Sequence, residues 1–263
     1  MKKQRSNPYV LFAVILASLI IVLPIVALLA KVPYLHLISA LGKDHGFVAI
    51  RLTLITSFSA LLISMALGIP LAWWLANSPS RMTHWLRPLL LAPIALPPTV
   101  AGLALLGLLS RKGLLGQYIY HATGWQMPFT IWAVIFAGVF VAMPFLVLIC
   151  ESTFSQLPQN VSEAALIDRA SDGQLLWWVA IPQARSGIIT GSALAWARVL
   201  GEFGATMMFA GSMSGTTQTW TLQIYQQLDI NPESAYALSL FMVVIALLII
   251  IALRKPLRES FAR

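Results

Sequence analysis

Residues 162–187 read SEAALIDRASDGQLLWWVAIPQARSG, and they stand between two long apolar runs. Within them fall Glu163, Asp168, Arg169, Asp172 and Arg185, in a chain of which only 10% is charged. A polar segment flanked on both sides by continuous apolar sequence must project out of whatever medium surrounds those runs. The nature of that medium decides the fold.

Composition identifies it. The 263 residues are 59% hydrophobic, and the mean hydropathy is +0.81. A soluble domain carries roughly 25% charged residues and has too little polar surface to cover so much apolar sequence. Lipid is the solvent. A spanning helix needs about 20 mainly apolar residues, because the hydrocarbon core is about 30 Å thick and a helix rises about 1.5 Å per residue. Six stretches satisfy this: approximately 9–30, 47–76, 86–109, 129–150, 187–210 and 234–253. They are unbroken runs, which predict helices and not the alternating strands of a barrel. The expected fold is an all-α membrane protein with six transmembrane helices.

Basic residues orient it. With the N-terminus inside, Lys2, Lys3, Arg5, Arg81, Arg87, Arg169, Arg185, Arg254, Lys255, Arg258 and Arg263 are cytoplasmic, whereas Lys31, Lys43, Arg51, Arg111 and Lys112 are external. This bias predicts a multi-pass protein of the plasma (inner) membrane with both termini in the cytoplasm. The net charge of +8 then reflects topology and not a nucleic-acid footprint. The first run follows MKKQR but exceeds a signal h-region, so a retained helix is expected. The single cysteine, Cys150, excludes an internal disulfide and an all-cysteine metal site.

Prolines interrupt the runs at Pro24, Pro70, Pro93, Pro97, Pro98 and Pro144. Pro97-Pro98-Thr99 is the densest break, and it reads either as a simple kink or as a helix bent around a pathway. In the polar segment two short helices are expected. Pro158 suits the first turn of one running to about Ala170. Ser171 with Gln174 forms a capping box for a second, which carries Leu175, Leu176, Val179 and Ala180 and stops near Pro182. Gly173 and its neighbours are the expected bend. Such a pair could lie on the membrane surface or form a knob that another protein grips.

Glu163-Ala164-Ala165, with Pro182 at the matching distance, resembles the EAA loop of ABC importer permeases. The loop's usual glycine is replaced here by Arg169, and Ile181 stands where leucine precedes the proline. The resemblance implies a type I permease fold, with coupling helices between spans 4 and 5 that dock on a cytoplasmic ATPase. The implied coupling residues are Glu163, Ala164, Ala165, Asp168, Arg169, Gly173 and Pro182. No G-x-x-x-x-G-K-[ST] occurs in the sequence, so ATP and Mg are expected on the partner ATPase and no cofactor on this chain.

The fifth run contains Arg198 and Glu202, an i,i+4 pair on one helix face. Facing lipid at the bilayer centre, each would cost about 2.5–3.5 kcal/mol. They are therefore expected to face the pathway, to fix helix packing as a pair, or to lie near the helix end. Gly187, Gly191 and Ala195 form a small-residue stripe suited to close helix packing. Gly201-Glu202-Phe203-Gly204-Ala205-Thr206 resembles a signature of molybdate/tungstate permeases, of which sulfate permeases carry a Gly-Glu-Tyr-Gly version. Residues 96–102 (LPPTVAG) and 111–116 (RKGLLG) are similar to that branch as well.

This likeness covers about 47–253, the expected permease domain. Residues 1–46 comprise the N-terminal segment, first span and external loop, and 254–263 a cytoplasmic tail. It implies import of molybdate or a similar tetrahedral oxyanion by alternating access. The implied assembly is a homodimer with an ABC ATPase dimer and an extracytoplasmic oxyanion-binding protein. Pathway residues would be Pro97, Pro98, Thr99, Arg198, Gly201, Glu202, Phe203, Gly204 and Thr206, and Ser192 is a further hydroxyl within a span. Three rivals remain: a sulfate or thiosulfate permease, an ion-coupled transporter using Arg198 and Glu202 as a relay, and a membrane enzyme. The last has no Ser/His/Asp constellation to support it, and no catalytic site is expected. Asp44 and His45 read as a solvated turn, and His36, His84 and His121 are scattered, so no metal site is expected.

Overall fold

The computed structural model describes residues 8–37, 46–158 and 170–261. Among these the regular structure is helical throughout. The first helix, α1 (Pro8–Ala30), has no buried residue. Its main contact among the described residues is with the last helix, α10 (Pro232–Phe261). The heart of the molecule is the contact of α2 (Gly46–Asn77) with α6 (Ile131–Ser155). Small residues permit it: a Cβ on Gly138 would stand 2.9 Å from the Ala60 Cβ, and one on Gly68 3.3 Å from Leu146. In lipid, association of this kind rests on close packing and not on the hydrophobic effect.

The expected run 86–109 is not one helix. It divides into α3 (Met82–Ala95) and α4 (Pro98–Leu109), bent by 118° at the break. Neither Pro97 nor Pro98 can donate a backbone hydrogen bond, and a proline drives the residue before it into extended conformation. Leu96 (ψ 136°) and Pro97 (ψ 135°) are both extended. This is a reversal of direction, far beyond a proline kink.

The run 187–210 is also divided, into α7 (Arg185–Leu200) and α8 (Gly204–Ala210). Of the six expected spans, four are continuous helices long and apolar enough to cross a membrane, and the α3–α4 pair makes a fifth if counted as one span. The 16 residues of α7 fall short of the roughly 20 that a crossing requires.

Between α4 and α6 lies the short α5 (Gly116–Thr123). The preceding turn is held by Leu114 N–H to the Gly107 carbonyl and Leu115 N–H to the Leu108 carbonyl. A Cβ on Gly116 would lie 2.0 Å from the Ser110 carbonyl oxygen, so only glycine fits. After α8, α9 (Trp220–Ile230) packs on α10 and α2. Trp220 is buried, its indole N–H donating to the Leu238 carbonyl and its backbone N–H to Thr53 Oγ1.

Candidate functional site

The two helix breaks meet. Helix α8 lies against α4, with Ala205, Phe209 and Ala210 packed among Ala101, Leu105 and Leu109. A Cβ added to Gly204 would stand 2.7 Å from the Pro98 Cβ, and one on Gly102 2.6 Å from the Met208 Cβ and 2.8 Å from the Ala205 carbonyl oxygen. The stretches 97–102 and 201–206 are thus in backbone-close contact, about a hundred residues apart in sequence. Pro97, Pro98, Thr99 and Gly201 are exposed, whereas Glu202, Gly204 and Thr206 are buried.

Glu202 is the centre of this junction. It is 3% exposed, and its three functions use three different atoms. Oε2 is 2.6 Å from Arg198 Nη1. Oε1 accepts from the Ala205 N–H at 2.9 Å, satisfying a first-turn donor of α8. Its backbone carbonyl accepts from Thr221 Oγ1 at 2.7 Å. The expected i,i+4 pairing is therefore present, with an additional part: the carboxylate starts the helix that follows the break. Phe203 turns the other way and stacks at a tilt on Tyr225, ring centroids 5.1 Å apart.

Beside Glu202 is a polar pocket of about 260 Å³ including its open mouth, lined by Thr53, Thr56, Ser57, Glu202, Thr206 and Thr219 with apolar neighbours. The α2 hydroxyls spend their protons on their own helix. Thr53 donates to the Ala49 carbonyl, Thr56 to Leu52 and Ser57 to Leu54. They also accept: Thr53 from the Trp220 N–H and Ser57 from the Trp196 indole at 3.1 Å. The pocket joins α2, α6, α7, α8 and the strand of chain before α9 at one point.

These α2 hydroxyls were absent from the sequence expectation, although their spacing at 53, 56, 57 and 64 marks a polar stripe on an otherwise apolar helix. Ser192 is buried in α7 without lining this pocket. No cluster of three potential metal ligands occurs among the described residues.

At one end of the bundle, the polar segment is seen from Ala170 onward. Glu163, Ala164, Ala165, Asp168 and Arg169 lie outside the described residues, as does most of the first expected helix. The capping box is formed: Ser171 N–H donates to Gln174 Oε1 at 2.9 Å, and Gln174 N–H to Ser171 Oγ at 3.3 Å.

One expectation is corrected and another is met. Gly173 is not the bend; it sits within Asp172–Gln174 in helical backbone, with no positive φ. The helix does end near Pro182, one residue beyond it at Gln183. It widens into a π-helical stretch, Leu175–Ala180, and continues through Ile181–Gln183 to turn at Ala184. The π register makes the Ile181 N–H bond to the Leu176 carbonyl, which opens the turn where the ring of Pro182 enters. Leu175, Leu176 and Ala180 face the bundle, whereas Trp177 and Trp178 are exposed.

Comparison with known proteins places this architecture. Residues 68–255 match the family described as binding-protein-dependent transport system inner membrane component. The molybdenum transport system permease protein ModB of Mycobacterium bovis is 38% identical over 231 residues, covering 88% of this chain and 87% of that protein. The sulfate transport system permease protein CysW of Synechocystis is 29% identical over 251 residues, covering 93% of this chain and 90% of that one. Among solved structures, a chain of a bacterial alginate ABC transporter, crystallised with its alginate-bound periplasmic protein, superposes with a TM-score of 0.74. It covers 95% of this chain and 94% of that chain at 17% identity, a likeness of fold.

Proposed function

The chain belongs to the family of binding-protein-dependent transport system inner membrane components, and from that premise we propose that it is the permease subunit of an ATP-driven molybdate importer. The observation that carries this is the 38% identity, across 88% of the chain, to a molybdenum permease. In this reading two copies form a shared path with both termini in the cytoplasm. Two ATPase subunits grip the 162–187 segment, and an external binding protein delivers the oxyanion. The chain supplies no nucleotide-binding loop, so its part is mechanical and not catalytic.

The geometry supports a cargo held loosely. A tetrahedral dianion crossing a low-dielectric interior would be trapped by a bare deep cation. Arg198 is not bare: Glu202 stands 2.6 Å from it and cancels most of its field at a distance. What remains is directional, namely guanidinium N–H groups on a partly exposed side chain, with Thr99 exposed at the start of α4. Weak successive donors of this kind pass an oxyanion along without retaining it. Alternating access would be the rocking of the two bundles, with the α3–α4 and α7–α8 breaks as the parts that rearrange.

A sulfate permease is the second reading, favoured by the 29% identity to CysW over 93% of the chain. Uptake into proteoliposomes containing the permease, its ATPase and its binding protein separates the two. Labelled molybdate should enter only with ATP, and unlabelled molybdate or tungstate should suppress the signal more strongly than sulfate. Preferential competition by sulfate refutes the molybdate assignment. Uptake that survives without ATP but collapses with an uncoupler refutes the ATP-driven mechanism.

A further inference from the structure

We propose that Arg87 is a positioning residue that transmits motion from the coupling segment to the α3–α4 elbow; this rests on the importer reading above. The side chain of Arg87 joins three helices. Its Nε lies 2.6 Å from Glu151 Oε1 of α6, and its Nη2 donates to the Leu75 carbonyl of α2 at 2.8 Å. Each partner has a reason to need it. Leu75 is 1% exposed and lies in the last turn of α2, where carbonyls have no helical donor. Glu151 lies near the C-terminal end of α6, where the helix dipole opposes a negative charge and a cation must offset it.

The location gives the contact its meaning. Both ends of the segment between α6 and α7 terminate at this knot. Two residues beyond Glu151, Thr153 packs on the start of α7, where a Cβ on Gly187 would fall 2.1 Å from Thr153 Oγ1. Leu176, Ala180 and Ala184 share one core with Leu75, Cys150 and Phe154. A push on the segment therefore reaches the last turn of α6 directly.

From Glu151 the polar link onward is Arg87, and α3 then runs about 12 Å, eight residues at about 1.5 Å each, to its end at Ala95, where the 118° elbow begins. Beyond the elbow, Pro98 is in contact with Gly204. The chain of contacts leads from coupling segment to Glu151, to Arg87, to the elbow, to the 201–206 junction. Apolar packing of α3 on α6 would hold the helix in place without Arg87, but it can slide; a guanidinium paired with the Glu151 carboxylate and hydrogen-bonded to the Leu75 carbonyl resists sliding, because movement would separate both contacts.

The test uses the complete complex in proteoliposomes, with uptake and ATP hydrolysis measured on the same preparation. Arg87→Gln and Glu151→Gln are each expected to lower oxyanion taken up per ATP by about tenfold while hydrolysis stays within about twofold of wild type. The swapped double variant, Arg87→Glu with Glu151→Arg, is expected to recover a large part of that ratio, because it restores the ion pair although not the bond to Leu75.

An unchanged ratio in both single variants overturns the proposal, as does a proportional fall in hydrolysis and uptake that the swap fails to mend. Should a variant fail to assemble, spin labels at Ser78 and Ser110 in the wild-type complex decide. ATP is expected to move α4 relative to the end of α2, and no change in that distance overturns the transmission route. This measurement does not depend on the cargo: a wild-type complex that moves on ATP but imports no oxyanion refutes the substrate reading alone.

Discussion

Replacing Glu202 separates its roles, because they fall on different atoms. Glu202→Ala removes the ion pair to Arg198 and the acceptor for the Ala205 N–H. A fully buried pair broken on one side costs about 3–5 kcal/mol and an exposed one about 0–1. The Glu202 side chain is 2% exposed and that of Arg198 30%, so about 2 kcal/mol is appropriate. The lost first-turn acceptor adds about 1 kcal/mol, the usual cost of an N-terminal cap. Glu202→Gln keeps an acceptor for Ala205 and should lose only the first part.

Thermal unfolding of the purified protein in detergent reads these differences. For a chain of this size 1 kcal/mol is about 2–4 °C, so the alanine variant should melt about 6–12 °C lower and the glutamine variant about 4–8 °C lower. The decisive comparison is in an Arg198→Ala background. There the carboxylate is buried without its cation, and neutralising it should be neutral or stabilising. Full additivity of Arg198→Ala and Glu202→Gln would refute the claim that the two charges act as one unit. A glutamine variant as unstable as the alanine one would refute the capping role.

Other substitutions test the packing. Gly102→Val places atoms against the Met208 Cβ and the Ala205 carbonyl, and should lower the melting temperature by the equivalent of about 1–3 kcal/mol. Gly107→Ala, with nothing within 4 Å of the new methyl, should gain up to about 1 kcal/mol from helix propensity in the same melting assay. Gly187→Ala should impair uptake through collision with Thr153, and adding Thr153→Gly, which removes all three colliding atoms, should restore part of it in the proteoliposome assay. Ser171→Ala should cost the segment about 1 kcal/mol of local stability, seen as about fivefold faster amide exchange over 172–183 if those amides open locally.

Much of this was legible from residue type and spacing. Lipid as solvent, helices as the element and the Ser171–Gln174 box all follow from local physics, and i,i+4 spacing placed Arg198 beside Glu202. The breaks were less so. Pro97-Pro98 announces an interruption, but whether the chain kinks or reverses depends on what receives it, here Gly102 of α4 against α8 and Gly204 of α8 against Pro98. The interruption at 201–203 carries no proline. It is stabilised by a carboxylate that caps the next helix and by Thr221, 19 residues away, which no local pattern reveals. Gly173 misled for the opposite reason: a glycine permits a bend without requiring one, and a capped helix with a π-helical turn downstream accommodates Pro182 without it.

The junction also explains how a broken helix persists in lipid. An interrupted helix exposes backbone groups that cost several kcal/mol each if left unpaired in hydrocarbon, so breaks normally line water or are buried in protein. At 201–205 the protein supplies the partners. The Gly201 N–H donates to the Ala197 carbonyl, the Glu202 N–H to Val199, and the Ala205 N–H to the Glu202 carboxylate, while the Glu202 carbonyl accepts from Thr221. These bonds come from side chains and neighbouring turns, so the interruption between α7 and α8 is held by the protein's own groups, and α8 packs on α4 with Gly204 against Pro98 and Gly102 against Met208. On the transport reading proposed above, α4 and α8 would then shift together when the elbow moves, and these bonds would keep the broken helix paired while it does so.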